Sequence, residues 1–369
     1  MSALKIPAKD LPKFKRRMLS WFAKCKRDLP WRRTKDSYRI WLSEIMLQQT
    51  RVAAVIPYYE RFVEKFPDVH ALANAPSDHV LKNWAGLGYY SRAKNLQSAA
   101  KEIVVRHSGE FPRKYEAALA LPGIGRYTAA AVLSIAYDAP HAVLDGNVAR
   151  VLARIFALRG DLRAPATWHK LEAAAQELLA QKISGDWNQA MMELGATVCT
   201  PKSPRCDECP VKEWCSARKL GIAEKLPSPR KKRASVDVTL AVAVLLDPDG
   251  RTLLIRQMGG DGALFSRMWQ FPALEAVGTH SKLAIAAYLK EKFRLATNGN
   301  LLPMSTARHT VTFRNIRLEP YLVRVAHLPR IVDTSIAALT DVPTMSISNA
   351  TRKIANVALA DAALSFFEQ

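Results

Sequence analysis

Leu121-Pro122-Gly123-Ile124-Gly125-Arg126-Tyr127-Thr128-Ala129 joins two helical patterns in the first half of this 369-residue chain. The preceding pattern starts at Tyr115 and ends at the proline, two glycines permit positive φ, and a run of small residues begins the next helix. Backbone amides of such a turn can hold a phosphate oxygen without reading a base. The stretch therefore predicts a helical hairpin, which is either an ordinary αα-connection or a phosphate-binding turn built on Gly123 and Gly125.

The charge of the chain favours a polyanionic partner. It contains 54 Lys and Arg against 33 Asp and Glu, a formal net charge of +21. Such a field attracts nucleic acid. No apolar run is long enough to span a bilayer, and the lysine-rich start leads into an amphipathic helix rather than a signal peptide. We expect a soluble, intracellular monomer with no membrane partner, cytoplasmic and nucleoid-associated if bacterial.

Four cysteines, Cys199, Cys206, Cys209 and Cys215, form a C-x6-C-x2-C-x5-C loop that is typical of a metal site. Only Cys25 is left besides them, so a disulfide framework is disfavoured. Zinc sites usually pair two knuckles, whereas one compact run with unequal gaps suits a cubane iron–sulfur cluster. Spacing alone favours iron–sulfur and leaves zinc open. Interleaved basic residues predict a positive surface on the loop: Lys202, Arg205, Lys212, Arg218 and Lys219.

A change of hydrophobic period divides the chain into two domains. Apolar residues recur with helical spacing up to the cysteine loop, which predicts an all-α domain over residues 1–225. A proline-rich, basic stretch over 226–235 reads as a linker. Residues 236–369 then begin with strand patterns at Val236 to Leu246 and Thr252 to Gln257, with helical patterns at 281–293 and 351–367. We therefore expect an α+β second domain.

Two carboxylates have surroundings that bear on chemistry. Trp41-Leu42-Ser43-Glu44-Ile45-Met46-Leu47 places Glu44 among apolar residues, where an unpaired charge is costly unless it protonates or has a partner. This pattern predicts an acid with a raised pKa, against the alternative of a glutamate on the solvent face of a helix. Asp145 opens the following helix, and taken alone it is an N-cap rather than a catalyst.

Four segments together resemble a known superfamily. The hairpin LPGIGRYTA at 121–129, VLDGNVARVLAR at 143–154, WLSEIMLQQT at 41–50 and the cysteine loop are similar to the helix-hairpin-helix DNA glycosylases, and within them to the MutY family of adenine DNA glycosylases. The resemblance implies DNA with adenine opposite 8-oxoguanine or guanine as substrate. It also implies a 4Fe-4S cluster on the 199–215 loop and a Nudix-like second domain that recognises the damaged base.

The resemblance also implies a mechanism. Adenine is a poor leaving group until N7 is protonated, so Glu44 would donate the proton and later activate water, while Asp145 would stabilise the oxocarbenium-like sugar. Tyr127 would orient this pair. The related endonuclease III subfamily has a lysine nucleophile at the position of Tyr127, and a tyrosine cannot form a Schiff base, so the chain should be monofunctional. We expect Glu44 to be the only acid in an apolar helix beside the pocket.

Other family positions match residues that contact DNA or the extruded base. Gln49 and Tyr89 match residues that wedge the duplex, and Asn147, two positions after Asp145, is expected to contact the substrate or DNA. Without the resemblance, Tyr89 and Leu47 read as core. The remaining matches surround the adenine pocket, although Arg32 and Gln189 would otherwise be surface polar residues: Trp31, Arg32, Leu47 and Gln189.

The second domain departs from its hydrolytic relatives. Trp269-Gln270-Phe271-Pro272 resembles the entry to a Nudix box, but 274–294 lacks the carboxylate cluster that holds magnesium, since Glu275 and Glu291 alone do not make that site. We expect a binding module. The recognition hairpin reads His309-Thr310-Val311-Thr312-Phe313, where relatives have Phe-Ser-His at the tip. Thr312 keeps a hydroxyl while its neighbours differ, which leaves the strength of 8-oxoguanine discrimination open.

Three alternatives compete with adenine release. A glycosylase acting on thymine or uracil opposite guanine could use the same scaffold, but Glu44 as an N7 acid favours adenine. A nucleotide pyrophosphohydrolase is disfavoured by the missing carboxylates of the second domain. A catalytically silent, cluster-bearing DNA-binding module is disfavoured because Glu44, Tyr127 and Asp145 occur together.

Overall fold

The computed structural model of the chain describes residues 5–228, 234–256, 268–276, 280–297, 299–311, 313–345 and 347–364. For residues 362–364 only the backbone is described. The chain divides into two compact units: Met1–Asn83 with Tyr89–Lys231, and Trp84–Gly88 with Lys232–Gln369. The predicted all-α part followed by an α+β part is confirmed. Residues 229–233 of the predicted linker lie outside the described residues.

Helices make up the regular structure before the linker, apart from short 3-10 turns, in the described residues. The first of them is the amphipathic helix predicted after the lysine-rich start, and it buries Phe14, Met18 and Phe22. The helices are α1 (Leu11–Cys25), α2 (Ser37–Leu47), α3 (Val52–Lys65), α4 (Val69–Asn74), α5 (Ser77–Trp84), α6 (Ser91–Arg106), α7 (Tyr115–Leu119), α8 (Arg126–Tyr137), α9 (Gly146–Ile155), α10 (Pro165–Leu178), α11 (Ser184–Thr197) and α12 (Ser216–Lys219).

Helix α8 lies at the centre of the helical unit. Every residue from Thr128 to Ile135 is buried, because both α2 and α11 pack against it. Three alanines in this stretch let the neighbouring backbones approach closely. Helix α9 is buried along most of its length and also packs on α11. This packing brings the middle of α2, the start of α8, the start of α9 and one face of α11 into one region.

The hairpin between α7 and α8 uses its two glycines differently. Gly123 has φ +75°, and a Cβ built there would lie 2.6 Å from the Asn95 Cβ. Gly125 is the N-cap of α8 with φ −96°, and a Cβ there meets no atom within 4 Å. Positive φ and close backbone approach are therefore requirements at Gly123 and not at Gly125.

The second unit contains one mixed sheet. Strand β1 pairs in parallel with β7 over its whole length, from Val236↔Arg314 to Leu246↔Arg324, and antiparallel with β2. The order is β3-β2-β1-β7-β5, with β4 on β1, β6 on β7 and β8 on β2. The elements are β1 (Val236–Leu246), β2 (Arg251–Arg256), β3 (Trp269–Gln270), β4 (Ala273–Ala276), α13 (Ser281–Phe293), β5 (Leu302–Pro303), β6 (Ala307–Val311), β7 (Arg314–Arg324), β8 (Thr334–Ala338) and α14 (Asn349–Leu364).

Alternation along β1 produces two apolar cores, one on each face of the sheet. Val242 and Val244 point to the face that α14 covers, through Ile354. Ala243 and Leu245 point to the opposite face, where they pack with Ile285 of α13. The unit is therefore a sheet between two helical layers. Because β1 is a central strand of this sheet, it is buried on both faces.

We predict that Gly123→Ala destabilises the helical unit by about 1–3 kcal/mol, since it forces a left-handed non-glycine residue against Asn95. Gly125→Ala is the matched control and should leave stability within about 0.5 kcal/mol. Urea unfolding followed by tryptophan fluorescence measures both. Equal effects of the two substitutions would show that the hairpin does not depend on the Gly123 conformation.

Candidate active site

A cavity of about 500 Å³ opens where α2, α8, α9 and α11 meet. Its size is within the range of about 300–1,000 Å³ that is usual for small-ligand sites. Tyr89, Gly123 and Gly125 do not line it, and Thr312 lies outside the described residues. The other DNA- and base-contacting residues predicted from the sequence do line it, together with the three predicted catalytic residues: Trp31, Arg32, Glu44, Leu47, Gln49, Tyr127, Asp145, Asn147 and Gln189.

Glu44 lies on the buried side of α2, with 6% of its surface exposed. Burial raises the pKa of its carboxyl group to about 7, the nearby Asp145 adds to this increase, and Tyr127 opposes it. The Tyr127 hydroxyl donates a hydrogen bond to Glu44 Oε2 at 2.7 Å, and a hydrogen bond to the charged form favours ionisation. The alternative of a solvent-facing glutamate is wrong.

Asp145 is both the N-cap of α9 and a wall of the cavity. Its Oδ1 accepts a hydrogen bond from the Val148 amide at 2.7 Å, and its Oδ2 accepts one from Asn147 Nδ2 at 3.0 Å. Burial raises the pKa of Asp145, and these two hydrogen bonds oppose the increase. The N-cap interpretation is geometrically right, and it also fixes the carboxylate where it faces the cavity.

A chain of hydrogen bonds leads from Asp145 towards the cysteine loop. Asn147 Oδ1 accepts from Arg150 Nη2 at 2.8 Å, and Arg150 Nε donates to the carbonyl oxygen of Cys199 at 2.9 Å. The next buried arginine, Arg154, places Nη1 3.3 Å from the Cys199 sulfur. The start and the middle of α9 thus connect the cavity with the first cysteine.

Glu193 is a buried acid at the cavity wall that was not predicted from the sequence. Its side chain is 0% exposed, and burial alone would raise its pKa. Hydrogen bonds from Arg27 and Arg32 outweigh this effect and lower the pKa to about 2. Arg27 holds it with Nε and Nη2, both at 2.7 Å, and Arg32 Nη2 donates at 2.8 Å. The expectation that Glu44 is the only acid in an apolar helix beside the pocket is therefore wrong.

The signal for Glu193 was present in the sequence. Met191-Met192-Glu193-Leu194 sets an acid among apolar residues as the segment around Glu44 does. Arg32 is not a surface residue, since its side chain is 12% exposed and bound to Glu193. Gln48, another cavity residue missed from sequence, places Nε2 3.4 Å from Thr128 Oγ1.

The two wedge candidates share an unusual backbone. Gln49 has φ +57° and Tyr89 has φ +50°, in the left-handed region that non-glycine residues rarely adopt. Tyr89 is 46% exposed, so the reading of this residue as core is wrong. Strained positions of this kind cluster at sites of function.

The four cysteines line one small cavity together with Arg154 and Arg218. Among the described residues, no group of three or more His, Cys, Asp or Glu could hold a single metal ion. Four thiolates that surround one cavity fit a cluster in which each sulfur binds a different iron. The predicted positive surface is partly neutralised, because Arg205 pairs with Glu208 at 3.1 Å and Arg218 pairs with Asp207 at 3.1 Å.

The hairpin that the sequence predicts to contact the lesion lies between β6 and β7. Thr312, the predicted contact, is outside the described residues, whereas Phe313 is half-buried and the guanidinium of Arg314 lies 5.5 Å from its ring centre. The Phe313 carbonyl accepts from the Val236 amide at 2.8 Å, which fixes the hairpin to the start of β1.

Comparison with known proteins finds two family models that match segments of the helical unit. Residues 42–181 match the HhH-GPD superfamily of base excision DNA repair proteins, and residues 199–215 match the iron-sulfur binding domain of endonuclease III. The predicted 4Fe-4S cluster is confirmed over zinc, and the matched segment contains the four predicted ligands, Cys199, Cys206, Cys209 and Cys215.

The chain is similar to several adenine DNA glycosylases. That of Rattus norvegicus is 48% identical over 217 residues, which cover 56% of this chain and 42% of the rat protein. That of Buchnera aphidicola subsp. Acyrthosiphon pisum is 32% identical over 317 residues, which cover 85% of this chain and 87% of the relative. The chain spans less than half the length of the rat and human relatives that it matches, 42% and 44%.

A solved thermostable thymine-DNA glycosylase is 30% identical, with a TM-score of 0.53, and the match covers 57% of this chain and 98% of that one. In the described part of this chain, no helix combines the length and apolarity needed to cross a membrane.

Glu44→Gln tests the burial of this carboxyl group. The raised pKa makes Glu44 favour folding at low pH, and this contribution is lost as the pH rises from the unfolded value of 4.5 towards about 7. The wild type should therefore lose about 3 kcal/mol of unfolding free energy relative to Glu44→Gln between those pH values. Urea unfolding at several pH values measures the difference, and a pH-independent difference would contradict the assignment.

The cluster assignment predicts four irons per chain and broad visible absorption in anaerobically purified protein, as a 4Fe-4S cluster requires. Cys206→Ser removes one thiolate and should lower both iron content and DNA affinity, whereas Cys25→Ser, at the exposed free cysteine, should change neither. Stoichiometric zinc without iron in elemental analysis would contradict the assignment.

Proposed function

The chain belongs to the adenine DNA glycosylases, and from that premise we propose that it is a monofunctional enzyme that hydrolyses the N-glycosidic bond of adenine mispaired with 8-oxoguanine or guanine in double-stranded DNA. The observation that carries the proposal is the buried Glu44 carboxyl group, with a pKa of about 7 and a hydrogen bond from Tyr127, in a cavity that Asp145 also lines.

Protonation of adenine needs an acid that still holds its proton near neutral pH. Glu44 meets this condition because burial raises its pKa to about 7. General-acid assistance of this kind is worth roughly 10²–10⁴ in rate. After the base leaves, the Glu44 carboxylate accepts a proton from the attacking water. One group thus serves as acid and then as base, as microscopic reversibility allows.

Asp145 supplies the negative charge for the oxocarbenium-like sugar. The hydrogen bonds from Val148 and Asn147 hold both carboxylate oxygens, so little reorganisation is needed when positive charge develops on the sugar. Arg32 and Glu193 form a fixed ion pair at the cavity wall, where Arg32 can donate to the extruded base. Gln189 offers an amide for the same purpose.

The proposed enzyme releases the base without cutting the strand. Strand cleavage by this superfamily requires an amine that forms a Schiff base with the sugar, and the matching position is Tyr127 here. The tyrosine is committed to Glu44 at 2.7 Å. The cluster residues, with the hairpin at Gly123 and Gly125, would hold the loop and the phosphate backbone and take no part in the chemical step.

We assign residues 236–369 to lesion recognition, with 226–235 as the linker and 1–225 as the glycosylase domain. The hairpin between β6 and β7 supports this role through Phe313, whose ring is covered by the Arg314 guanidinium. An aromatic ring with a cation beside it can stack on an oxidised purine.

The direct test is single-turnover cleavage of two duplexes, one with adenine opposite 8-oxoguanine and one with thymine opposite guanine. The proposal predicts release of adenine only, with strand breaks appearing after alkali. Release of thymine from the second duplex, without adenine release from the first, would support the alternative glycosylase and end this proposal.

Glu44→Gln should abolish adenine release while leaving duplex affinity within about threefold, since the two side chains are nearly isosteric and the proton donor is lost. Glu177→Gln, at an exposed glutamate of α10, is the matched control and should keep wild-type rates. Wild-type-like release by Glu44→Gln would remove this residue from the mechanism.

The pH profile follows from the two carboxyl groups. Above about pH 7 the free enzyme loses the Glu44 proton, so the apparent second-order rate constant should fall about tenfold per pH unit. On the acid side it should fall as Asp145 protonates, at a pH above the ordinary aspartate value, since burial raises its pKa. Rates that stay constant from pH 7 to 9 would contradict this account.

Lesion preference should depend on the hairpin tip. Phe313→Ala should reduce the preference for adenine opposite 8-oxoguanine over adenine opposite guanine by an amount equivalent to about 1–3 kcal/mol, the usual value of a base on an aromatic ring. Thr312→Ala should cost about 0.5–1.5 kcal/mol if its hydroxyl makes a hydrogen bond. Leu283→Ala, at an exposed leucine of α13, is the control. An unchanged preference in both variants would place discrimination in the helical unit.

A further inference from the structure

Arg92 joins the segments that carry both wedge candidates. It is the second residue of α6 and is only 8% exposed. Its Nη1 donates to the carbonyl oxygens of Ile45, Met46 and Gln48 at 2.7, 2.8 and 2.6 Å. Its Nη2 lies 3.2 Å from Thr50 Oγ1. The guanidinium therefore binds the backbone immediately before Gln49 and the side chain immediately after it.

The same guanidinium contacts the other wedge candidate. Its Cζ lies 5.5 Å from the centre of the Tyr89 ring, and the Arg92 amide donates to the Tyr89 carbonyl oxygen at 2.9 Å. Gln49 and Tyr89 are both exposed, and both have left-handed backbones. Arg92 contacts the residues next to Gln49 and the ring of Tyr89. Such conformations persist only where the surroundings impose them.

The position of Arg92 has a cost that local structure does not explain. A cation at the N-terminus of a helix opposes the macrodipole, and burial lowers the pKa of Arg92 to about 10. The interaction that favours this position is with α2. The carbonyl groups at the C-terminal end of α2 lack intrahelical partners, so they attract the Arg92 guanidinium. Arg92 therefore caps the helix that carries Glu44 while it holds Tyr89.

We infer that Arg92 is a positioning residue that makes the Gln49 and Tyr89 segments one rigid wedge attached to the end of α2. This inference rests on the proposed function, in which adenine must leave the duplex to reach Glu44. Arg92 touches neither the cavity nor the reacting atoms in the described structure. It acts by keeping the wedge in register with the cavity, so it contributes to base extrusion and not to bond cleavage.

The test separates extrusion from chemistry. Single-turnover release is measured from two duplexes, one with adenine opposite 8-oxoguanine and one with adenine opposite an abasic analogue, where less pairing must be broken. Arg92→Met should slow release from the paired substrate by about 10- to 100-fold, the usual cost of misplacement by about 1 Å, and release from the unpaired one much less. Arg106→Met, an exposed arginine of the same helix, is the matched control and should change neither rate.

A double-mutant cycle supplies a readout that a general loss of stability does not move. If Arg92 acts through the wedge, Arg92→Met should cost little in a Gln49→Ala/Tyr89→Ala background, because the groups it positions are gone. Arg92→Lys keeps the charge without the guanidinium fork, should retain part of the rate, and repeats the cycle if Arg92→Met does not fold.

Each outcome decides the inference. Equal slowing on both duplexes, an undiminished loss in the Gln49→Ala/Tyr89→Ala background, or no loss at all would overturn it. If the wild type released adenine from neither duplex, the proposed function would fail instead, so the two failures are distinguishable.

Discussion

The hydrogen bond between Tyr127 and Glu44 is the constraint on which the site depends. At 2.7 Å it ties the start of α8 to the middle of α2, two helices that pack directly against each other. The same packing removes Glu44 from water and raises the pKa of its carboxyl group to about 7. The packing of α2 on α8 therefore both positions the Glu44 carboxyl group and raises its pKa.

The cavity wall contains two buried glutamates whose pKa values are shifted in opposite directions. Burial raises the pKa of Glu44, whereas the guanidinium groups of Arg27 and Arg32 lower that of Glu193 to about 2. Environments that separate the pKa values of neighbouring carboxyl groups assign them different tasks. Glu193 binds Arg32 at the wall, and in the proposed mechanism Glu44 exchanges protons while Asp145, held by the start of α9, provides a fixed negative charge.

Local sequence patterns predicted the surroundings of Glu44, the N-cap position of Asp145 and the turn at Gly123, whereas the catalytic role of Asp145 and the pocket residues were expected only from the family resemblance. Glu44 was visible because apolar neighbours surround it, Asp145 because it precedes a helix, and Gly123 because a turn between helices requires positive φ. The partners of Glu193 could not be found in this way, since Arg27 is 166 positions distant and only the packing of α11 brings them together. The exposure of Tyr89 was also hidden, because an aromatic residue in Gly86-Leu87-Gly88-Tyr89-Tyr90 reads as core without the family resemblance, whereas the side chain is 46% exposed.

The central claim is that Glu44 keeps its proton near neutral pH, and a direct titration of this carboxyl group tests it. Protein labelled with ¹³C at glutamate side-chain carboxyls is titrated by NMR, and Glu44→Gln assigns the resonance. The account predicts a midpoint near pH 7 for Glu44, while Glu193 stays ionised down to about pH 2. A Glu44 midpoint near the ordinary value of 4.5 would contradict it.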